Sequence, residues 1–281
     1  MAEEKDLITE TIEDVDKSTS VYIKNHPWGI LLFGVLPMAL TFVLFYFFYD
    51  YDTDIIFYPL AIPFVAWMII RAYMSTLFMK QFARANNFTY AHTGSLVGLD
   101  GALFQKGNGR KLTNVVSGTY KDNPIRIFYY EFSTGSGKNR RNHSYTICEI
   151  EYKGSLPSIT VEEAGFWDAN EFLTSGQKKL QLHNEFDKHF ALYVQSDYEI
   201  EALEIFTPEV VEALILRAKS FEFGFQGHHL YIYSRGEIST RKRLEELRDL
   251  MRYIVETLSP RIVRLHDDVS AMHEIYAKHG A

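Results

Sequence analysis

PIRIFYYEFSTGSGKNRRNHSYTICEIEY, residues 124–152, holds the choice between two fold classes. Two glycines before Lys138 resemble the end of a phosphate-cradling loop, which would run from a strand into a helix and imply an α/β architecture. That loop requires G-x-x-x-x-G-K-[ST], the first glycine for the wrap and the final hydroxyl for magnesium. Aligned on Gly137 and Lys138, the first position is Phe132 and the last is Asn139, so both fail. Downstream of the glycines, SYTICEIEY has the β-branched and aromatic content of a second strand rather than a helix. The stretch is therefore a hairpin: two strands, a glycine-rich tip, and an antiparallel sheet.

The same texture extends in both directions. TYAHT, GALFQKG, LTNVVSGTY, SITVEE and ALYVQ are candidate strands, and TYKDNPIRIF places Lys121 and Asp122 at a second hairpin turn. FEFGFQGHHLYIY, residues 221–233, is expected to close the domain as a hairpin. DYEIEALEIF and TPEVVEALILRA read as helices, the latter with Pro208 at its first position and Glu209 in its first turn. Residues 80–236 thus form an α+β domain, mostly antiparallel. Beyond it, residues 237–281 carry Leu244, Leu247, Met251, Ile254 and Leu258 at helical spacing. Pro260 interrupts this C-terminal amphipathic helix, which is expected to dock on the body or on a protein partner.

Ahead of the domain lie two apolar runs, residues 28–49 and 55–79, the second broken only by Arg71. Each reaches the roughly 20 helical residues a bilayer core requires, so residues 28–79 are expected to form two transmembrane helices. Arg71 would then snorkel from the last turn of the second. Lys17, Lys24, Lys80 and Arg84 flank the pair, and the connector 50–54 has no lysine or arginine. The positive-inside rule gives an inner-membrane, multi-pass protein with both termini cytoplasmic.

The net charge of −7 comes from residues 1–54, where ten acids face three lysines; the rest of the chain is balanced. Residues 1–27 are an acidic segment in which DLITETIEDVDKSTSVYIK can form a surface helix. A single cysteine, Cys148, excludes intramolecular disulfides and cysteine-rich metal sites. His228 and His229 are adjacent on a strand and point to opposite faces, so they cannot share one ion; His183 and His189 have no metal-motif context. No nucleophile elbow or dinucleotide fingerprint occurs. Arg241, Lys242, Arg243, Arg248, Arg252, Arg261 and Arg264 are interspersed with acids, which argues against nucleic acid as a partner. No catalytic residue, cofactor or metal ligand is assigned.

The remaining candidates are basic. Lys80, Arg84, Lys106, Arg110 and Lys111, with Lys138, Arg140 and Arg141 on a movable loop tip, are candidate membrane-surface contacts. The spacing of FARANNFTY, ALFQKGNGRKLTNVVSGTYKDNPIRIFYYEF, TICEIEYKGSLPSITVE, EFDKHFALYVQSDYEIEALEIFTPEVVEAL and FEFGFQGHHLYIY resembles bacterial membrane-anchored proteins of the family called domain of unknown function 3137. The resemblance spans about residues 80–235; it implies an anchored cytoplasmic module and supplies no catalytic residue. The expectation is a binding or scaffold module, the alternatives being a tethered enzyme or a lipid-headgroup sensor.

Overall fold

Residues 124–152 do fold as a hairpin, and the sheet grows from it. A computed structural model describes residues 6–26, 28, 31, 35–48, 58–164, 173, 175–182 and 184–279. Its strands are β1 (Thr89–Thr93), β2 (Asn108–Tyr120), β3 (Asn123–Thr134), β4 (Arg141–Glu163), β5 (Gln177–Leu180), β6 (Phe190–Gln195) and β7 (Glu222–Arg235). They form one antiparallel sheet in the order β1-β2-β3-β4-β6-β5, with β7 on β4. Lys121 and Asp122 both have positive φ, as the two-residue turn between β2 and β3 requires.

The helices are α1 (Val15–Asn25), α2 (Leu36–Phe48), α3 (Tyr58–Ala85), α4 (Asn184–His189), α5 (Glu199–Ile205), α6 (Pro208–Arg217), α7 (Arg241–Tyr253) and α8 (Ser259–His279). Two compact units result. One comprises Ala83–Ile238 and Lys242–Ala281 with Met1–Leu7; the other comprises Ile8–Phe82 with Ser239–Arg241.

In the sheet unit, β4 and β7 build a long ribbon that bends at Gly227, where φ is +60° and the register with β4 shifts around Leu156. A glycine relieves the steric cost of that conformation, and the bulge turns the strand. The bend is large. Glu222 and Arg235 stand at opposite ends of β7, ~40 Å apart if the strand were straight. Their carboxylate and guanidinium nevertheless lie 3.5 Å apart. Arg243 stitches the same closure, donating to Ser234 Oγ at 3.1 Å and to the Ser220 carbonyl, with its guanidinium 4.0 Å from the Phe221 ring centroid.

The inner face carries Phe128, Tyr130, Phe132, Tyr145, Ile147, Tyr231 and Tyr233, covered by Leu99, Leu103 and Phe104. The Phe104 ring meets Tyr130 and Tyr231 edge-on at 5.1 and 5.3 Å. Residues 101–107 were expected as a strand; Ala102–Gln105 is instead a 3-10 turn that presents this plug. On the other face Ile125, Ile127, Cys148, Ile150 and Ile232 are buried. There Tyr120 donates to Glu256 at 3.3 Å and Tyr152 to Ser259 at 2.7 Å. Leu244, Leu247, Met251, Ile254, Leu258, Ile262 and Leu265 are all buried. Of the two expected outcomes, docking on the body or on a protein partner, these described positions take the first. Pro260 is accommodated by a π turn, Ile254–Leu258, which widens the helix where a proline ring would crowd the carbonyl four residues back.

The expected hairpin at 221–233 is a single strand, and the two strands expected in 144–163 are one. The membrane expectation is overturned more fundamentally. Among the described residues no helix is long and apolar enough to cross a membrane. The first charge-free run yields α2, whose 13 residues rise ~20 Å against a hydrocarbon core of ~30 Å. The second yields the 28-residue α3, which is long enough but carries Arg71, Lys80, Gln81 and Arg84 and buries Met74, Phe78, Met79 and Phe82 in its C-terminal half. Residues 29, 30, 32–34 and 49–57, which take in the whole connector 50–54, lie outside the described residues. Arg71 does not snorkel: its Nε lies 3.2 Å from Asp16 on α1, and its guanidinium lies 5.9 Å from the Trp67 ring centroid. The two-span membrane partner and the inner-membrane, multi-pass placement with both termini cytoplasmic rested on those spans and fall with them.

The acidic N-terminal segment has a structural use. Asp14 accepts from the Arg241 backbone N–H at 2.6 Å, and the Glu10 carbonyl accepts from its guanidinium at 2.9 Å. In the sheet unit Asp6 accepts from Arg252 at 2.9 Å. Arg241 and Arg252, two of the seven basic residues that suggested a nucleic-acid surface, are thus partnered within the fold.

Candidate functional site

The tip of the β3–β4 hairpin gathers part of the predicted basic set. β3 and β4 pair down to Ser133–Asn142 and Thr134–Arg141, and Lys111 of β2 stands opposite Glu131. The tip is not a slack loop. Gly135 and Gly137 adopt positive φ, and Asn139 and Arg140 donate backbone hydrogen bonds to Ser136 and Gly137 at 3.1 and 3.3 Å. A Cβ on Gly135 would sit 2.4 Å from the Asn139 carbonyl oxygen, so only glycine closes this turn.

Arg140 then folds back over the strand end. Its Nη2 donates to Ser133 Oγ at 3.0 Å, and Ser133 donates to Asn142 Oδ1 at 3.0 Å. Beside it the His143 ring stacks on Phe132 at 4.7 Å, with Nε2 2.8 Å from Thr134 Oγ1. The result is a concavity of about 250 Å³ lined by Lys111, Glu131, Arg140, Asn142, His143 and Ser144, among others. Of the predicted residues only Lys111 and Arg140 line it. Arg110 donates to the Phe104 carbonyl at 2.5 Å and helps hold the plug. Lys138 and Arg141 are exposed in and beside the turn, Lys106 is half-buried after the plug, and Arg84 and Lys80 belong to α3.

A second polar constellation was not expected from the sequence. Glu149 is buried on the inner face between β3 and β7. Arg126 donates to both its oxygens, Nη2 to Oε1 at 2.9 Å and Nε to Oε2, and His229 Nδ1 lies 3.2 Å from Oε1. His229 stacks on Tyr231, and its Nε2 is 3.9 Å from the exposed Asp100 carboxylate. Burial opposes ionisation of Glu149, but the bonds from His229 and Arg126 outweigh it and hold the carboxyl below its ordinary range. The chemistry of this chain of groups is that of an internal electrostatic tie.

Glu222, near Arg235, behaves in the opposite way. Burial pushes its carboxyl up to about 7, reinforced by Glu162 and Glu163 and only partly countered by Arg235. Cys148 is buried and its thiol is pushed up by desolvation, which removes it as a nucleophile. His228 is exposed while His229 is buried, as strand alternation dictates. Among the described residues no group of three or more His, Cys, Asp or Glu could hold a metal ion; His183 lies outside them.

The third feature is apolar. α2 shows Leu36, Met38, Leu40, Phe42, Val43 and Phe45–Phe47 to solvent, Phe42 at 74% and Tyr46 at 78% exposure. α3 adds Phe64, Val65, Trp67, Met68 and Ile69. In the sheet unit, an apolar groove of about 550 Å³ runs between α4, α5 and α6, floored by Leu203, Phe206, Val211 and Ile215.

No family model and no curated protein matches the chain. Among solved structures it is similar to the crystal structure of the mycobacterial trehalose monomycolate transport factor A, TtfA. The identity is 12% and the TM-score 0.47, over 69% of this chain and 93% of that one. At that level of likeness nothing about the activity of this chain follows from it.

Proposed function

We propose that the chain is a binding or scaffold module that engages an apolar partner body through α2 and the first half of α3. One observation carries this reading. α2 is apolar on nearly every side, and only Pro37 among its described side chains is buried. A helix that is apolar all round is normally covered all round, and contiguous exposed apolar surface of this kind marks an interaction site. Each such side chain gains roughly 1.5–3 kcal/mol on full burial, so leaving half a dozen in water is costly.

The buried polar groups support binding rather than turnover. Arg126, Glu149 and His229 are spent on one another on the inner face, and the buried thiol of Cys148 is held protonated. Light scattering on the full chain in detergent-free buffer tests the proposal. Self-association or co-elution with another body is expected, together with a shift to a monodisperse monomer in the quadruple variant Phe42→Ser, Tyr46→Ser, Phe64→Ser, Ile69→Ser. A wild-type chain that runs as a stable monomer at high concentration would contradict it.

A further inference from the structure

The concavity at the hairpin tip is built more carefully than a solvated loop needs, and the geometry points to a ligand. We infer that it binds a small phosphate ester whose organic part carries a hydroxyl or amino group. A guanidinium offers five N–H donors in a planar fork suited to phosphate oxygens, and in Arg140 the Nη2 group is engaged by Ser133. That single bond fixes the side chain over the strand end and removes part of the ordering cost of binding.

Lys111 brings a second positive charge to the same concavity. Asn142 adds a donor: its Oδ1 accepts from Ser133, which leaves its amide N–H groups as the polar edge still able to bond. The Ser144 hydroxyl completes the polar lining. Phosphate fits this set by charge and geometry.

Glu131 makes the site selective. It stands directly opposite Lys111 in the β2–β3 register and lines the same concavity. A bare phosphate would meet its carboxylate as a like charge. A phosphate ester with a neighbouring hydroxyl or ammonium places a donor there and turns repulsion into a hydrogen bond. The class includes both free phosphorylated amino-alcohols and the same group displayed as a lipid headgroup.

Calorimetric titration of the full chain with O-phosphoethanolamine tests this, with inorganic phosphate and phosphatidylethanolamine vesicles as parallel arms. Saturable binding is expected, on the order of tenfold tighter for the ester than for inorganic phosphate. Arg140→Gln should weaken it by about tenfold or more. Glu131→Gln should tighten binding of inorganic phosphate and weaken that of the ester, erasing the preference. Binding to the free ester identifies a soluble ligand; Arg140-dependent binding to vesicles alone identifies a headgroup. Absence of saturable binding in all arms, or an Arg140→Gln chain that binds as wild type, overturns the inference. Arg140 and Glu131 are exposed on the tip, and unchanged unfolding curves for both variants separate ligand loss from misfolding.

Discussion

Glu149 shows how much a single buried side chain can hold. Two strands meet at its carboxylate, β3 through Arg126 and β7 through His229, and Asp100 ahead of the plug lies beyond the histidine. Removing the carboxylate strands a guanidinium and an imidazole in a poorly solvated place, which costs more than the bonds themselves. Glu149→Ala is expected to destabilise the fold by roughly 3 kcal/mol or more, read from urea unfolding. The carboxyl is depressed in the fold, so its contribution is present above the unfolded carboxyl range and disappears as pH falls through the lower folded value. The gap between wild type and variant should therefore narrow in acid. A gap that is small at neutral pH, or constant with pH, would show that the tie carries little energy.

At the scale of elements, the curled β4–β7 ribbon is the dominant device, and Glu222 is its weak point. Its carboxyl is raised to about 7 by burial beside Glu162 and Glu163, although Arg235 lies 3.5 Å away. A raised carboxyl disfavours the fold progressively as pH climbs from the ordinary range, near 4.5, through the folded value. Glu222→Gln removes that burden, and we expect it to stabilise the chain by roughly 2 kcal/mol at pH 8, with the gain fading at and below about pH 4.5. A less stable variant at pH 8 would mean that the ion pair with Arg235 outweighs desolvation. The sequence made some of these elements plain and concealed others. The turns at Lys121–Asp122 and Gly135–Gly137 are local chemistry, so the β2–β3–β4 meander was readable, and its register brings Lys111 and Arg140 together. Residues 101–107 look like a strand because glycines bracket an apolar run, yet Phe104 finds its aromatic partners in distant strands. Gly227 looks like a hairpin turn because a bulge and a turn both call for positive φ, and only the pairing with β4 decides between them. The Arg126–Glu149–His229 tie depends on three strands in register, which spacing along the chain does not reveal.

At the scale of the molecule, two units answer different physical demands. The sheet unit closes its own core, with the plug over one face and Tyr120 and Tyr152 bonded to the C-terminal helical segment on the other. The unit of α1–α3 leaves its most apolar helix uncovered. Apolarity of residues 28–79 was legible from the sequence; the helical boundaries were not, since a charge-free run does not say how many of its residues share one helix. The central claim is that this uncovered surface is where the module works. Hydroxyl-radical footprinting of the full chain, performed inside cells and again on the purified chain diluted below the concentration at which it associates, tests it most directly. Phe42, Tyr46 and Phe64 should be strongly protected in cells and oxidise readily when isolated, while the buried Tyr231 and Tyr233 stay protected in both. Equal oxidation of Phe42, Tyr46 and Phe64 in the two settings would contradict the claim.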